Sequence, residues 1–490
     1  MKIFLMNKKN FNKIIIATIF LLGISFTTHA QVHKTNLLSK SNVVFIPLDD
    51  MGWKDLGVYG STFYETPNID KLAAQGMLFM DAYASSPVCS PSRSSIMTGQ
   101  YPVNTGITDW IPGANRYRKS QPDLKLIEQP FVNDVPKSNT SLGQAFKNNG
   151  YATCYSGKWR IGESQEYWPE NEGFDYNFGG WAAGNPRAGS MNGYFSPYNN
   201  PKLIDGPKGE FLTDRLTTEV INFIKKETKE GKPFFADLSF YAVHEPIEAK
   251  EEYIKKFTEK AHRLRLDTMQ QFVKDADRMQ LQPSWKERMV HANPAYAGLI
   301  YTVDKNVGRI MATLKELGID NNTIVVFTSD YGSLSTAEGS PTANYPLRYG
   351  KGWNYEGGTR IPLIIKWPGK TAPGTVCDYP VVNTNFYLTF LEMAGLQKMP
   401  QQTKYGISMV PLLKGEKSFS QKVIYWHYPH YGNQGGSAAP SIREGDWKLI
   451  QFYYDNHVEL YNLRTDIEER RDLSKALPER TAALAEQLNL

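Results

Sequence analysis

The sequence predicts an α/β domain built on a large, mostly parallel β-sheet flanked by helices, followed by a small C-terminal antiparallel sheet carrying one helix. Three observations predict it. Apolar, β-branched runs recur at long intervals: "VVFIPL" (43 to 48), "YATCYSG" (151 to 157), "PFFADLSFYAV" (233 to 243), "TIVVFTS" (323 to 329) and "IPLIIKW" (361 to 367). Continuous apolar runs of this length belong to strands covered on both faces. Between them lie stretches of helical spacing, "TPNIDKLAAQG" (66 to 76), "SLGQAFKNNG" (141 to 150), "TDRLTTEVINFIKKETKEG" (213 to 231) and "YAGLIYTVDKNVGRIMATLKELG" (296 to 318). Such alternation places helices over a parallel sheet. From about residue 420 the texture changes to short aromatic-rich strands, "KVIYWHY", "DWKLIQFYY" and "HVELYNL", and then to the helical tail "ALPERTAALAEQLN". These read as an antiparallel sheet with a helix on it.

The first element is an address. Lys2, Lys8, Lys9 and Lys13 flank an apolar run from Ile14 to Phe26 that is too short to span a bilayer, and Thr28-His29-Ala30 is a small-x-small cleavage pattern. We expect a secretory signal peptide over residues 1–30, cut before Gln31, and no stable membrane insertion after cleavage. The formal net charge of +5 loses these four lysines with the leader and falls to +1. That balance argues against nucleic acid as a partner. The remainder divides into an expected catalytic domain over 31–419 and an α+β subdomain over 420–490. Only three cysteines, Cys89, Cys154 and Cys377, are present. An odd count in an exported chain leaves at least one outside any disulfide, and we expect Cys154 and Cys377 to be reduced thiols.

Asp49 and Asp50 follow the first strand directly in "FIPLDDMGW", and Asp330 ends a later one in "VVFTSDYG". Ligand sites of open α/β sheets gather at the carboxyl ends of strands, so three carboxylates converge on one rim. Hard oxygen donors of this number suit Ca²⁺ or Mg²⁺. Each aspartate alone also reads as a turn or helix-cap residue.

The segment "SSPVCSPSRSSIMTG" (85 to 99) opens a helix in which Ser90 serves as the expected N-cap, Pro91 the first helical position, and Cys89 lies just outside. A helix N-terminus attracts anions, and Arg93 adds a fork of donors suited to a tetrahedral oxyanion. Two readings of Cys89 stand side by side on these grounds: a thiol nucleophile of lowered pKa, or an inert buried cysteine. Lys158 in "SGKWRIG", His244 in "AVHEP" and Lys351 in "RYGKGWNYEGGTRIP" lie in loops that follow expected strands, where function concentrates. The charged segment 247 to 292 reads as a solvated helical insertion.

The residues "CSPSR" match the C-x-P-S-R signature of the sulfatases of the alkaline phosphatase superfamily, and "DDMGWKDLG", "GYATCYSGKW", "HEPI", "TSD" and "GKGWNYEGGTRIP" agree in order. From about residue 40 onward the chain resembles that family. The resemblance implies that Cys89 is oxidised by a formylglycine-generating maturation enzyme to 3-oxoalanine, whose hydrate attacks the sulfur of a sulfate ester. It further implies one Ca²⁺ held by Asp49, Asp50, Asp330 and the modified Cys89. Arg93, Lys158 and Lys351 would neutralise the sulfate, and His244 would lie beside the leaving oxygen. Two positions depart from the pattern. Arg160 stands where G-K-W-H-x-G has histidine, and Tyr331 stands where S-D-N-G has asparagine, a phenol being a poorer calcium ligand than an amide oxygen.

Resemblance to carbohydrate sulfatases implies a sulfated glycan as substrate, with galactose or N-acetylgalactosamine sulfates in view, and a secreted, periplasmic location. Arg160 and His430 are candidate substrate contacts, whereas Trp426 reads as core of the small sheet. A phosphate or phosphonate ester hydrolase of the same fold and an inactive glycan-binding relative are the alternative readings.

Overall fold

The computed structural model describes residues 40–113, 129–274, 286–397, 401–417 and 419–488; the expected leader lies outside them. Among the described residues, fifteen strands run in chain order: β1 Asn42–Leu48, β2 Met77–Tyr83, β3 Ala152–Gly157, β4 Tyr176–Phe178, β5 Phe234–Ser239, β6 Phe272–Val273, β7 Glu287–Arg288, β8 Thr323–Ser329, β9 Arg360–Lys366, β10 Thr375–Cys377, β11 Val381–Val382, β12 Val423–Tyr428, β13 Ala439–Glu444, β14 Trp447–Gln451 and β15 Val458–Asn462. The large sheet has the order β10-β2-β9-β8-β1-β5-β3-β4, with β11 beside β2. Its pairings are parallel except those of β9, which runs antiparallel to both β2 and β8. The mostly parallel sheet expected from the sequence is therefore present, with one reversed strand.

β1, β5 and β8 occupy the middle, and every residue of all three is buried. This is why they appear in the sequence as unbroken apolar runs rather than as alternations. Helices Leu212–Glu230 and Pro294–Glu316 bury Leu216, Val220 and Ile224, and Ile300, Val303 and Val307, in the core on one face of the sheet. Helix Asn385–Met393 buries Phe386 and Phe390 in the core on the other, where both rings meet Phe45 of β1.

β12 to β15 form the antiparallel C-terminal sheet, with helix Pro478–Leu488 contributing Leu484 to its small core. Trp426 of β12 is buried, packs edge-on against Tyr83 and donates from Nε1 to the Ala84 carbonyl at 2.7 Å, so it is core as expected. The two sheets are also joined by buried charge: Lys448 of β14 meets Glu356 at 2.9 Å and Glu469 at 3.1 Å, with no side-chain exposure on any partner.

The solvated helical insertion expected over 247 to 292 is present in its first part and needs correction at its end. Helix Glu251–Arg263 is there and buries Phe257 and Ala261, residues 275–285 lie outside the described residues, and β7 is buried. Glu287 Oε1 accepts from the Tyr349 amide at 2.8 Å and Arg288 Nε donates to the Ser340 carbonyl at 2.5 Å, so this charged pair braces the loop that leads to Lys351. Among the described residues, no helix is long and apolar enough to cross a membrane.

Candidate active site

The central strands place their carboxyl ends at one rim, and backbone hydrogen bonds stitch the following loops together. The Asp330 amide donates to Leu48 O at 3.0 Å, the Asp49 amide to Ala242 O at 3.0 Å, the Val243 amide to Asp49 O at 2.6 Å and the Lys158 amide to Ser239 O at 2.8 Å. Gly157 permits the last approach: at φ +113° a Cβ there would stand 1.8 Å from the Ser239 oxygen. Asp50 adopts φ 63°, a left-handed conformation that costs energy for a residue with a Cβ and is tolerated where surrounding structure fixes it.

Helix Cys89–Thr98 starts at the same rim. It begins two residues earlier than the sequence suggested, with Val88 as N-cap and Cys89 inside the first turn. The Ser90 hydroxyl, expected to cap, instead accepts from the Ile111 amide at 3.1 Å and so fixes the loop beside the helix. Cys89 is buried, 6 % exposed, at the positive end of the helix dipole. All three cysteines are free. Burial raises the thiol of Cys154 far above its ordinary range and that of Cys377 to about 11, which keeps both protonated and inert.

The rim holds cations and carboxylates in alternation. Lys158 Nζ lies 2.6 Å from Asp49 Oδ2, Arg93 Nε 2.7 Å from Asp330 Oδ2, and Lys351 Nζ 3.2 Å from Asp50. Burial by itself would raise Asp49, but Lys158, His244, Arg93 and Lys351 outweigh it and hold the carboxyl well below the usual range. For Asp330 burial wins over Arg93, and the neighbouring Asp49 adds to it, so its carboxyl rises to about 7. Burial works against the Lys351 ammonium, yet Asp50 and Glu338 keep it charged.

His244 Nδ1 lies 3.0 Å from the Glu245 carbonyl. A carbonyl only accepts, so that nitrogen carries the proton and Nε2 turns its lone pair to Lys351 Nζ at 3.1 Å. Asp49, Asp50 and His244 bring ligand atoms within 4.8 Å of one another. Among the described residues, the buried Asp330 Oδ1 accepts no hydrogen bond, and the buried Asp50 Oδ1 makes none beyond its 3.2 Å ion pair with Lys351 Nζ. Carboxylate oxygens with spare acceptor capacity at a shared rim fit a hard divalent cation. The structure thus brings Cys89, Arg93, Lys158, His244, Lys351, Asp49, Asp50 and Asp330 to one place.

The family model described as Sulfatase matches residues 41–396, and a second, described as N-sulphoglucosamine sulphohydrolase, C-terminal, matches 347–489. The chain belongs to the sulfatase family. This sulfatase is 30% identical over 447 residues to the N-acetylgalactosamine-6-sulfatase of Canis lupus familiaris, covering 87% of this chain and 74% of that protein. A protein named Sulfatase from Formosa agariphila is 30% identical over 554 residues, 98% of this chain and 92% of that one. Among solved structures, Ps i-CgsB in complex with k-i-k-neocarrahexaose is 28% identical with a TM-score of 0.72, covering 92% of each chain. The phosphonate monoester hydrolase of Agrobacterium radiobacter, 19% identical with a TM-score of 0.62, shares the fold. The chain is accordingly a sulfuric ester hydrolase.

The departures from the family pattern have definite places in this sulfatase. Tyr331 is fully buried and donates to Asp49 Oδ1 at 2.9 Å. Arg160 has φ 59° and donates from its guanidinium to the carbonyls of Ala182 and Ile111. His430, the other candidate substrate contact, has no exposed surface, and its Nε2 meets Thr108 Oγ1 at 2.9 Å.

Glu338 escaped the sequence reading. Its Oε2 is 3.4 Å from Lys351 Nζ, while Oε1 accepts from Asn433 at 2.8 Å and Gln434 at 2.7 Å. It ties the loop after β12 to the lysine of the rim. The one signal in sequence was an acid set among small residues in "LSTAEGSPTANYP".

Proposed function

We propose that this sulfatase hydrolyses sulfate esters on galactose or N-acetylgalactosamine units of a sulfated glycan, through a formylglycine made from Cys89 and with one Ca²⁺ held by Asp49, Asp50 and Asp330. The observation that carries the reading is the position of Cys89 at the N-terminus of its helix, facing three carboxylates and three cations that are buried and mutually fixed. The N-acetylgalactosamine-6-sulfatase and the carrageenan-oligosaccharide complex among its relatives support the substrate class.

Formylglycine would supply two hydroxyls on one carbon, one to displace the sugar oxygen and one to let sulfate go; Ca²⁺ would draw charge from sulfate oxygens. Residues of the chain do the rest. Lys158, Lys351 and Arg93 counter the charge that builds on sulfate in a site closed to water. His244 and Lys351, hydrogen-bonded to each other, deliver a proton to the departing sugar oxygen. Arg160 keeps its segment against Ile111 and Ala182 and borders the place for the sugar. Residues 1–30 act as an export leader, which sends the catalytic part (31–419) and the C-terminal subdomain (420–490) to the periplasm, where a formylglycine-generating enzyme acts on Cys89.

Co-expression with such an enzyme, mass analysis of the Cys89 peptide, and sulfate release across a panel of galactose and N-acetylgalactosamine sulfate regioisomers test this reading. Sulfate freed from one regioisomer, and lost in Cys89→Ala, is the expected result. Converted protein that frees no sulfate, or that cleaves phosphonate esters faster, overturns it.

A further inference from the structure

A second concave site lies at the far end of the Cys89–Thr98 helix. The helix has ten residues, so its carboxyl end stands about 15 Å from the catalytic end. There a groove of 770 Å³ opens between Tyr101 and its neighbours on one side and the start of β12 on the other. Its size falls in the range of ligand sites, about 300–1,000 Å³.

The lining has one chemical character. Tyr101, Tyr405 and Tyr425 supply rings, Lys404 and Lys422 supply ammonium groups, and His427 completes the β12 face; among the described residues that line it there is no carboxylate. The strand pattern accounts for the arrangement. Ile424 and Trp426 point into the core while Tyr425, between them, is 39 % exposed. Val103 and Tyr405, at 53 % and 38 %, are exposed in the same groove. Large apolar side chains held open to water and rimmed by polar groups mark an interaction site.

We propose that this groove binds a stretch of anionic polysaccharide, a sulfated glycan chain, remote from the bond being cleaved. A sugar ring has an apolar face that stacks on tyrosine, and its sulfate meets a lysine held beside that ring. Lys404 already stands 5.2 Å from the centre of the Tyr405 ring, so ring and charge are presented together. The charged side chains among the described lining residues, Lys404 and Lys422, are cationic and so favour an anion. The ligand class rests on the substrate class proposed above, but the site is separate from the catalytic rim and shares no residue with it.

The test is affinity electrophoresis of Cys89→Ala protein in gels containing ι-carrageenan or chemically desulfated ι-carrageenan, with Tyr425→Ser and the pair Lys404→Glu and Lys422→Glu added as independent variants. Each is expected to weaken binding to ι-carrageenan roughly tenfold, the loss of one contact hot spot. In the Cys89 background, each is expected to leave kcat/KM on a monosaccharide sulfate unchanged. Unaltered retention of both variants would place the polymer elsewhere, and equal retention in desulfated polymer would remove the anionic class; either overturns the proposal. Retention that depends on the groove in a protein that frees no sulfate from any sugar would uphold this site and overturn the proposed function instead.

Discussion

Tyr331 donates its phenolic proton to Asp49 Oδ1 at 2.9 Å, so the residue standing in the place of the family asparagine acts as a donor to a carboxylate rather than as an oxygen ligand. Burial first, and then Asp49, Asp50 and Asp330, push its pKa far above the ordinary range; the phenol stays protonated. Together with Lys158 it holds Asp49 from both sides. Tyr331→Phe keeps the ring and strands a buried carboxylate oxygen, and is expected to cost about 1–3 kcal/mol in denaturant unfolding. Tyr331→Asn returns an amide oxygen to the rim. Calcium titration should then show tighter binding than in the wild type, and an unchanged affinity would refute the placement of position 331 at the metal.

Arg160 spends its guanidinium on two backbone carbonyls, Ile111 and Ala182, that belong to separate loops at the mouth of the site. Histidine is too short to reach both. Arg160→His is therefore expected to lower kcat/KM on the best sugar sulfate roughly tenfold, about 1.4 kcal/mol of transition-state stabilisation, although it restores the family residue. Steady-state kinetics decide the matter: activity equal to or above the wild type would show that the loops hold their positions without the arginine.

Lys448 sits between Glu356 and Glu469 with no exposed side-chain surface. Burial raises Glu469 to about 7 against the pull of Lys448, while Lys448, Arg360 and Arg443 overcome burial and hold Glu356 low. Removing the central cation leaves buried carboxylates uncompensated, and Lys448→Met is expected to destabilise the protein by about 3–5 kcal/mol. A chemical melt that stayed within error of the wild type would show that water or rearrangement replaces the lysine.

The five strands expected from apolar runs, those that became β1, β3, β5, β8 and β9, were legible because their environment is apolar on both faces. β13 was not. Its "APSIRE" carries Pro440, and its buried Arg443 is neutralised by Asp81 at 2.6 Å, so charge pairing replaces the alternation that sequence reading needs. β2 was hidden for a related reason, since Asp81 within it pairs with Arg360 at 2.5 Å and leaves the run broken. The rim residues were legible through their motifs. Glu338 was not, because its role comes from contacts to Asn433, 95 positions away, and no local pattern encodes a meeting of two loops. The helix start was displaced by two residues because Ser90-Pro91 imitates a cap, whereas the Ser90 hydroxyl is taken by the Ile111 amide.

His430 gives a pH dependence with a definite sign. Burial, and then repulsion from His427, lower its pKa from 6.5 to about 4. Its Nε2 is engaged with Thr108, and the Phe131 and Tyr428 rings pack edge-on against it. As pH falls below 6.5 the unfolded chain takes up the proton while the folded state resists it. The contribution of neutral His430 is therefore complete above pH 6.5, is lost progressively as pH falls toward 4, and changes no further below that. The shift of about 2.5 units corresponds to roughly 3 kcal/mol at most. Urea unfolding of the wild type and His430→Gln between pH 4 and 7.5 isolates it, since the carboxylates common to both proteins cancel in the difference. The wild type should lose stability relative to the variant as pH falls through this window. Parallel curves would mean that His430 protonates in the folded protein as readily as in the unfolded one, and that its surroundings beside Thr108 open to water.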